Sequence, residues 1–244
     1  MKIIVVFKWA MNPQDARVGS DGATDWRGVK MSASDDDPAA IAVARDMAAA
    51  EGEIIGLTIG DGDAAWAAAR GASSSVAVTD VQAGLDSAST GAILAAAVRH
   101  IGDADVVLIG DSVWDYGVVA ALAGQLGWPT LANVVSATVE AGRLKVTRKT
   151  GRVTQVVDVT GPVFLAVAAS RAEQHVPSMK DVLAARKKPV VKLTLADLDV
   201  TSAAMVISRG TKLPDTAPAR IIDGADPAAA VTELLTALRT EGIL

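Results

Sequence analysis

The sequence predicts an α/β protein: an open, mostly parallel sheet with helices on both faces, an antiparallel excursion and an extended C-terminal arm. Three features carry this. Short apolar runs alternate with helix-periodic stretches as far as Pro129, the pattern of parallel strands joined by crossover helices. Between Ala132 and Asp158, three strand-like segments are separated by Gly142 and Gly151, as in antiparallel hairpins. From Leu195 to Pro218 helical periodicity is lost, and it returns only after Asp226. The expected division is an α/β domain over 1–194 and an extended arm with its helix over 195–244.

Ile3 to Phe7 is a first strand, and Asn12 to Asp36 reads as surface loop with a short hairpin. Asp37-Pro38 starts a helix, since Asp can cap free amides and Pro suits the first helical position. Ile41, Ala44, Arg45 and Ala48 follow at helical spacing and Gly52 closes the helix. Ile54 to Ile59 is the second strand, closed by Gly60; Asp63 to Arg70 is an alanine-rich helix; Val76 to Thr79 is a short strand. A helix over Ser89 to Ile101 leads to a fully buried strand, Asp105 to Ile109. A polar loop from Gly110 to Gly117 opens a helix marked by Val118, Val119, Leu122, Ala123 and Leu126, which Gly127 and Pro129 stop. The crossovers are expected to be right-handed. Ala132 to Val139, Leu144 to Arg148 and Val153 to Asp158 form the antiparallel excursion, and Pro162 to Ala168 returns to the main sheet. Ser170 to Pro189 is a polar connection with one short helix; Val190 to Leu193 and Ala204 to Ile207 read as short strands. Asp226-Pro227 starts a last helix whose Val231, Leu234, Leu235 and Leu238 share one face. That face needs a surface to cover it.

Composition narrows the chemistry. Half of the 244 residues are apolar, but aromatics are only 3%, which suits close helix–sheet packing. The net charge of -5 is dispersed and argues against a large nucleic-acid footprint. With no cysteine, disulfides, thiol catalysis and thiolate-bound clusters are excluded. The N-terminal run MKIIVVFKW has only five apolar residues before Lys8 and reads as a strand rather than a secretory leader. No apolar stretch is long enough to span a membrane, and a cytoplasmic location without membrane insertion is expected.

Few residues announce chemistry by themselves. His100 ends a helical stripe and His175 lies in the polar connection; neither forms a catalytic pattern. No nucleophile elbow, zinc-helix, P-loop or dinucleotide fingerprint is present. Asp35-Asp36-Asp37 has the look of a metal cluster or of a solvated loop with a helix cap. Asp111 and Asp115 flank the central loop, placed to meet a ribose hydroxyl or a metal, or to cap the loop and its helix. Thr58-Ile-Gly60 and the Gly110 to Gly117 loop each follow a buried strand. Two such loops can form one cleft with amides aimed at a phosphate. Any electron transfer would need a bound cofactor.

Several segments together resemble the electron-transfer flavoprotein β subunit, a family that includes nitrogen-fixation-associated β-type subunits. They are Val5-Val-Phe-Lys8, Asp37-Pro38, Trp66 to Ala72, Val76 to Asp80, Ala104 to Gly110 and Leu122 to Pro129. Arg148, Gln155, Val157 and Pro162 approximate the family's signature region, with Gly151 and Arg152 where acidic residues are usual. Pro177 to Pro189 looks like the family's PSLPxIMKAKKKP. The resemblance implies a heterodimer with an α subunit that holds most of an FAD. It also implies AMP in the β-subunit cleft, or a second FAD in a bifurcating complex, and electron transfer from a partner dehydrogenase to a quinone reductase or other acceptor. The chain would then be a carrier subunit rather than an enzyme. Nucleotide contacts are expected from Phe7, Ala10, Asp37, Thr58, Gly60, Gly110, Asp115, Gly117, Val118 and Val119, and partner docking from His175, Met179, Arg186 and Lys187. Met179, at the family's leucine position, would be an anchor; by pattern alone it would pack its own short helix. The main alternative is a stand-alone adenine-nucleotide-binding regulatory domain of universal-stress type; a degenerate subunit kept for structure is another.

The departures from the family fall at the cleft. The central loop is shorter than usual and lacks its second Asp and its Gln, Asp37-Pro38 replaces Asn-Pro, and Ala40 replaces an acid. Glu173-Gln-His-Val176 stands where PRY is usual, which implies a dehydrogenase partner of a different class from the acyl-CoA one.

Overall fold

The computed structural model describes residues 1–48, 52–60, 62–81, 84–111, 115–140, 142–168, 176–200, 206, 209–216 and 219–244. They form two units: Met1–Arg17 with Thr24–Arg209, and Val18–Ala23 with Gly210–Leu244. In chain order the strands are β1 (Lys2–Val6), β2 (Ala10–Met11), β3 (Arg17–Val18), β4 (Thr24–Asp25), β5 (Met31–Ser32), β6 (Glu53–Ile59), β7 (Ser74–Val78), β8 (Val106–Gly110), β9 (Thr130–Glu140), β10 (Arg143–Thr150), β11 (Val153–Val159), β12 (Val163–Val167) and β13 (Val190–Leu193). The α-helices are α1 (Asp37–Ala48), α2 (Ala65–Ala69), α3 (Ser87–Ile101), α4 (Tyr116–Leu126), α5 (Met179–Ala185) and α6 (Pro227–Thr240).

Nine strands make one sheet in the order β11-β10-β9-β12-β8-β1-β6-β7-β13. β1 lies between β8 and β6 and is parallel to both. Its run of Ile and Val is buried on both faces, as a central parallel strand requires. Alternate residues feed two cores. Ile3 and Val5 pack with α1 and with Trp66 and Ala67 of α2, whereas Ile4 and Val6 pack with α3 and α4. The excursion β9-β10-β11 is antiparallel within itself and joins the sheet through the parallel pair β9–β12. The Arg148 Nε donates to Gln155 Oε1 across β10 and β11 at 2.8 Å.

Local chemistry sets the helix limits. Asp86 accepts from the Ser89 amide at 2.8 Å and caps α3, so this helix starts two residues before the expected Ser89. Helix α2 is shorter than expected: Asp63 spends its carboxylate on the Ala65 amide, before the first helical turn closes. Gly127, at φ 65, ends α4 in the left-handed conformation that a side chain resists. Ser178 and Asp181 form a reciprocal capping box on α5. The Lys188 ammonium, just beyond α5, donates to Ala68 O at 3.0 Å and Ala72 O at 2.6 Å, tying the end of α2 to the end of α5. The strand expected at Ala204 to Ile207 lies largely outside the described residues.

The second unit is thinner. The Thr211 hydroxyl donates to Gly22 O at 2.7 Å, and Gly22 has to be glycine: its φ is +80 and an added Cβ would stand 2.4 Å from the Leu213 amide nitrogen. Asp226 caps α6, and none of that helix is buried. Val231, Leu234 and Leu235 are exposed within the chain.

Candidate functional site

The sheet order creates one place where chain direction splits. The chain leaves β1 through α1, on one face, and leaves β8 through α4, on the other. The loops after two adjacent strands therefore diverge, and a crevice opens beyond their C-terminal ends. This topological switch point is where open α/β sheets bind ligands.

The residues around it are polar and unusually short of partners. Asp37, fully buried, turns one carboxylate oxygen (Oδ2) to the Lys8 amide at 3.0 Å and the Ser34 amide at 2.8 Å. It therefore fastens the end of β1 to the turn before α1, instead of capping amides of its own helix as the sequence suggests. Burial pushes its carboxyl up to about 6, opposed by the Lys8 charge and by those two amides. Asp37 Oδ1 and the Ser34 hydroxyl oxygen are buried without a hydrogen bond of proper geometry, although the hydroxyl lies near enough to favour the charged carboxylate. Thr58 Oγ1 is also buried and unpartnered, and so is Lys8 Nζ. Burial raises Asp115 as well, and the Lys8 charge opposes it. Lys8 is thus the cation shared by the two carboxylates on either side of the crevice. Buried polar atoms without partners are rare and costly in a folded protein, and several of them gather around this crevice.

The expected site residues divide by what they present. Gly110 ends β8 against the first turn of α1: an added Cβ would lie 2.8 Å from Asp36 Cβ and 2.9 Å from Asp36 C. Close packing at the crevice floor requires this glycine. Gly117 meets Ser87 in the same way, and Gly60 makes the turn after β6 at φ +82. Asp115 precedes α4 but makes no side-chain cap, leaving the positive end of that helix for other acceptors. Phe7, Val118 and Val119 are buried in the two cores, so only their backbone can face a ligand. Ala10 pairs with Ser32 in the small ribbon β2–β5. Residues 112–114 of the central loop and His175 lie outside the described residues. Asp111 accepts weakly from the Asn133 amide at 3.3 Å, bracing the β9 end. Among the described residues no group of three or more metal-ligating side chains occurs, and Asp37 is committed to backbone amides.

A second surface lies at α5. Met179 is 74% exposed and Leu183, four residues on, 54%, so both sit on one helical face. Arg186 and Lys187 follow, exposed. Sequence reasoning singled out Met179 but missed Leu183, which the i, i+4 spacing would have found. It also missed Lys8 as a site residue; its signal is a charge placed directly after a strand buried on both faces.

Comparison with known proteins fits this geometry. The model of a family described as Electron transfer flavoprotein domain matches residues 26–198. The chain is 33% identical over 122 residues to "Electron transfer flavoprotein subunit beta" of Mycobacterium tuberculosis, covering 49% of this chain and 46% of that protein. The relative of the same description in Mycobacterium bovis gives the same figures. The Mycobacterium leprae relative is 30% identical over 165 residues, 63% of this chain and 62% of its own length. The chain spans about half the length of the first two relatives. The family model nevertheless covers most of the chain, taking in Asp37, the turn after β6, the loop after β8 and α5, and the chain belongs to the electron transfer flavoprotein β-subunit family.

Proposed function

We propose that the chain is the β half of a heterodimeric electron-transfer flavoprotein, carrying electrons from a dehydrogenase to a quinone reductase or another acceptor. The observation that supports this best is the switch-point crevice with its buried, unpartnered Lys8, Asp37 and Thr58 atoms. In this reading the crevice holds an adenine nucleotide: AMP, or a second FAD if the complex bifurcates electrons. The groups present fit one. The Lys8 ammonium and the uncapped start of α4 suit a phosphate, while Asp37 Oδ1 and Thr58 Oγ1 suit the hydroxyls and exocyclic amine of a nucleoside. The main FAD, held largely by the α subunit, supplies the redox chemistry. This chain contributes a nucleotide-stabilised frame and a docking surface, and it needs no acid or base of its own.

Met179 and Leu183 form the apolar anchor of that surface, with Arg186 and Lys187 beside it. The exposed stripe Val231, Leu234 and Leu235 of α6 is the part of the 195–244 arm that the α subunit covers. The test is co-expression with the α subunit encoded beside the gene, followed by an absorbance spectrum and identification of released nucleotides. A stable heterodimer with flavin bands and a second, adenine-containing nucleotide is expected. A monomer that binds an adenine nucleotide and no flavin would instead establish the universal-stress-type alternative.

A further inference from the structure

A second cavity, of about 380 Å³, adjoins the crevice at Ser34 and lies between the N-terminal end of α1 and α2, walled by Trp9, Ser34, Asp35, Pro38, Trp66 and Arg70. Its back wall is a stack. The Trp66 ring lies on Phe7 at 5.1 Å between centroids and 25° between planes, and the Arg70 guanidinium carbon stands 4.2 Å from the Trp66 ring centroid. Arg70 Nη1 donates to Trp66 O at 3.2 Å. Its Nε is buried with no partner, and no carboxylate among the described residues forms an ion pair with it. Asp63 acts on it only through space, and desolvation lowers its pKa. Asp35, the acid on the cavity wall, is already engaged in an interaction. Asp181, which lines the cavity on the other side of Arg70, belongs to the α5 capping box.

A partly buried guanidinium set over an indole, with no ion-pair partner among the described residues, presents two complementary features. Its fork of N–H donors matches a carboxylate or phosphate edge-on. Its planar face, with the indole of Trp9 and the ring of Pro38 nearby, matches a flat ring. The volume lies at the small end of ligand pockets, suiting one or two fused rings. We infer that this pocket binds a small planar aromatic acid, a ring bearing one carboxylate or phosphate, independently of the nucleotide crevice. Arg70 pairs the acid, and Trp9 and Pro38 flank the ring.

The test is calorimetric titration of the full chain, first alone and again in excess AMP, with three matched probes: naphthalene-2-carboxylate, 2-naphthyl phosphate and the neutral naphthalene-2-carboxamide. Saturable one-to-one binding of at least one acid is expected with a Kd below about 1 mM, with the amide at least about tenfold weaker. The better of the two acids identifies the anionic group. Arg70→Gln should bring acid and amide together, Arg70→Lys should restore part of the difference, and Trp9→Ala should weaken all three, with unchanged urea midpoints confirming folded variants. Lys8→Met should weaken AMP binding and leave the acid unaffected, so failure at the crevice and failure at this pocket are read separately. The inference is overturned if neither acid saturates, if acid and amide bind alike to the parent chain, or if AMP displaces the acid.

Discussion

Asp37 shows how much one buried group can hold together. Its carboxylate joins β1 to the turn before α1 through two amide bonds, yet burial raises its pKa from 3.8 to about 6. The folded state thus holds this proton more tightly than the unfolded chain does. At this residue, stability is greatest at acidic pH and is lost as pH rises from about 4 through 6; the buried charge costs about 3 kcal/mol at neutral pH. Asp37→Asn keeps an acceptor oxygen for both amides and removes the charge. Urea denaturation should find it more stable than the parent by about 1–3 kcal/mol at pH 7.5, with the difference vanishing near pH 4; a difference that does not change with pH would refute this. Asp37→Ala removes the acceptor and should cost about 2–4 kcal/mol near pH 4 and, by the same linkage, markedly less at pH 7.5. Sequence pattern marked Asp37 as a helix cap. Its actual partners are the amides of Lys8, 29 residues earlier, and of Ser34 in the preceding turn, and the first is a contact that no periodicity of the chain encodes. Lys8 escaped for the same reason: what makes it notable is a buried ammonium whose charge acts on two carboxylates, Asp37 and Asp115, which arises only when β1 is set beside β8.

At the scale of elements, the alternation of apolar runs gave every strand of the nine-stranded sheet and every helix except α5 to within a few residues, because buried parallel strands and their crossover helices each carry a strong period; α5 was expected only as a short helix somewhere between Ser170 and Pro189. The order β8-β1-β6 was less accessible, since strand neighbours depend on which face each crossover covers. Close helix contact was hidden as well. Gly91 of α3 lies where an added Cβ would be 2.6 Å from Ala121 Cβ and 2.8 Å from the Leu122 amide nitrogen of α4. Gly91→Ala should force the two helices apart and lower stability by about 1–3 kcal/mol in urea melts. Gly124, exposed on α4 with nothing within 4 Å, provides the opposite case: Gly124→Ala should stabilise by up to about 1 kcal/mol through helix propensity alone. On α5, Met179→Asp and Leu183→Asp each place a charge on the exposed apolar face proposed for docking. Each should lower the rate of electron transfer from the partner dehydrogenase about tenfold or more with flavin content unchanged. An unaltered rate in both would remove α5 from the docking surface.

For the molecule as a whole, the division of labour follows from what each unit buries. The larger unit owns both cores and the crevice, while α6 buries nothing within the chain. Leu234→Asp paired with Leu235→Asp should therefore leave the urea midpoint of the isolated chain within about 0.5 kcal/mol of the parent and shift sedimentation of the co-expressed complex from heterodimer toward free subunits. The Lys188 ammonium has a wider reach than its two bonds suggest. By gripping the carbonyls of Ala68 and Ala72 from the end of α5, it acts as a rivet between the helix proposed to meet a partner and the helix that carries Trp66. A load applied at Met179 then has a stiff path inward, through α5, the rivet and α2, to the indole stacked on Phe7 beside the crevice. Cutting the rivet with Lys188→Met should leave the sheet intact and speed amide hydrogen exchange in α2 and α5 together.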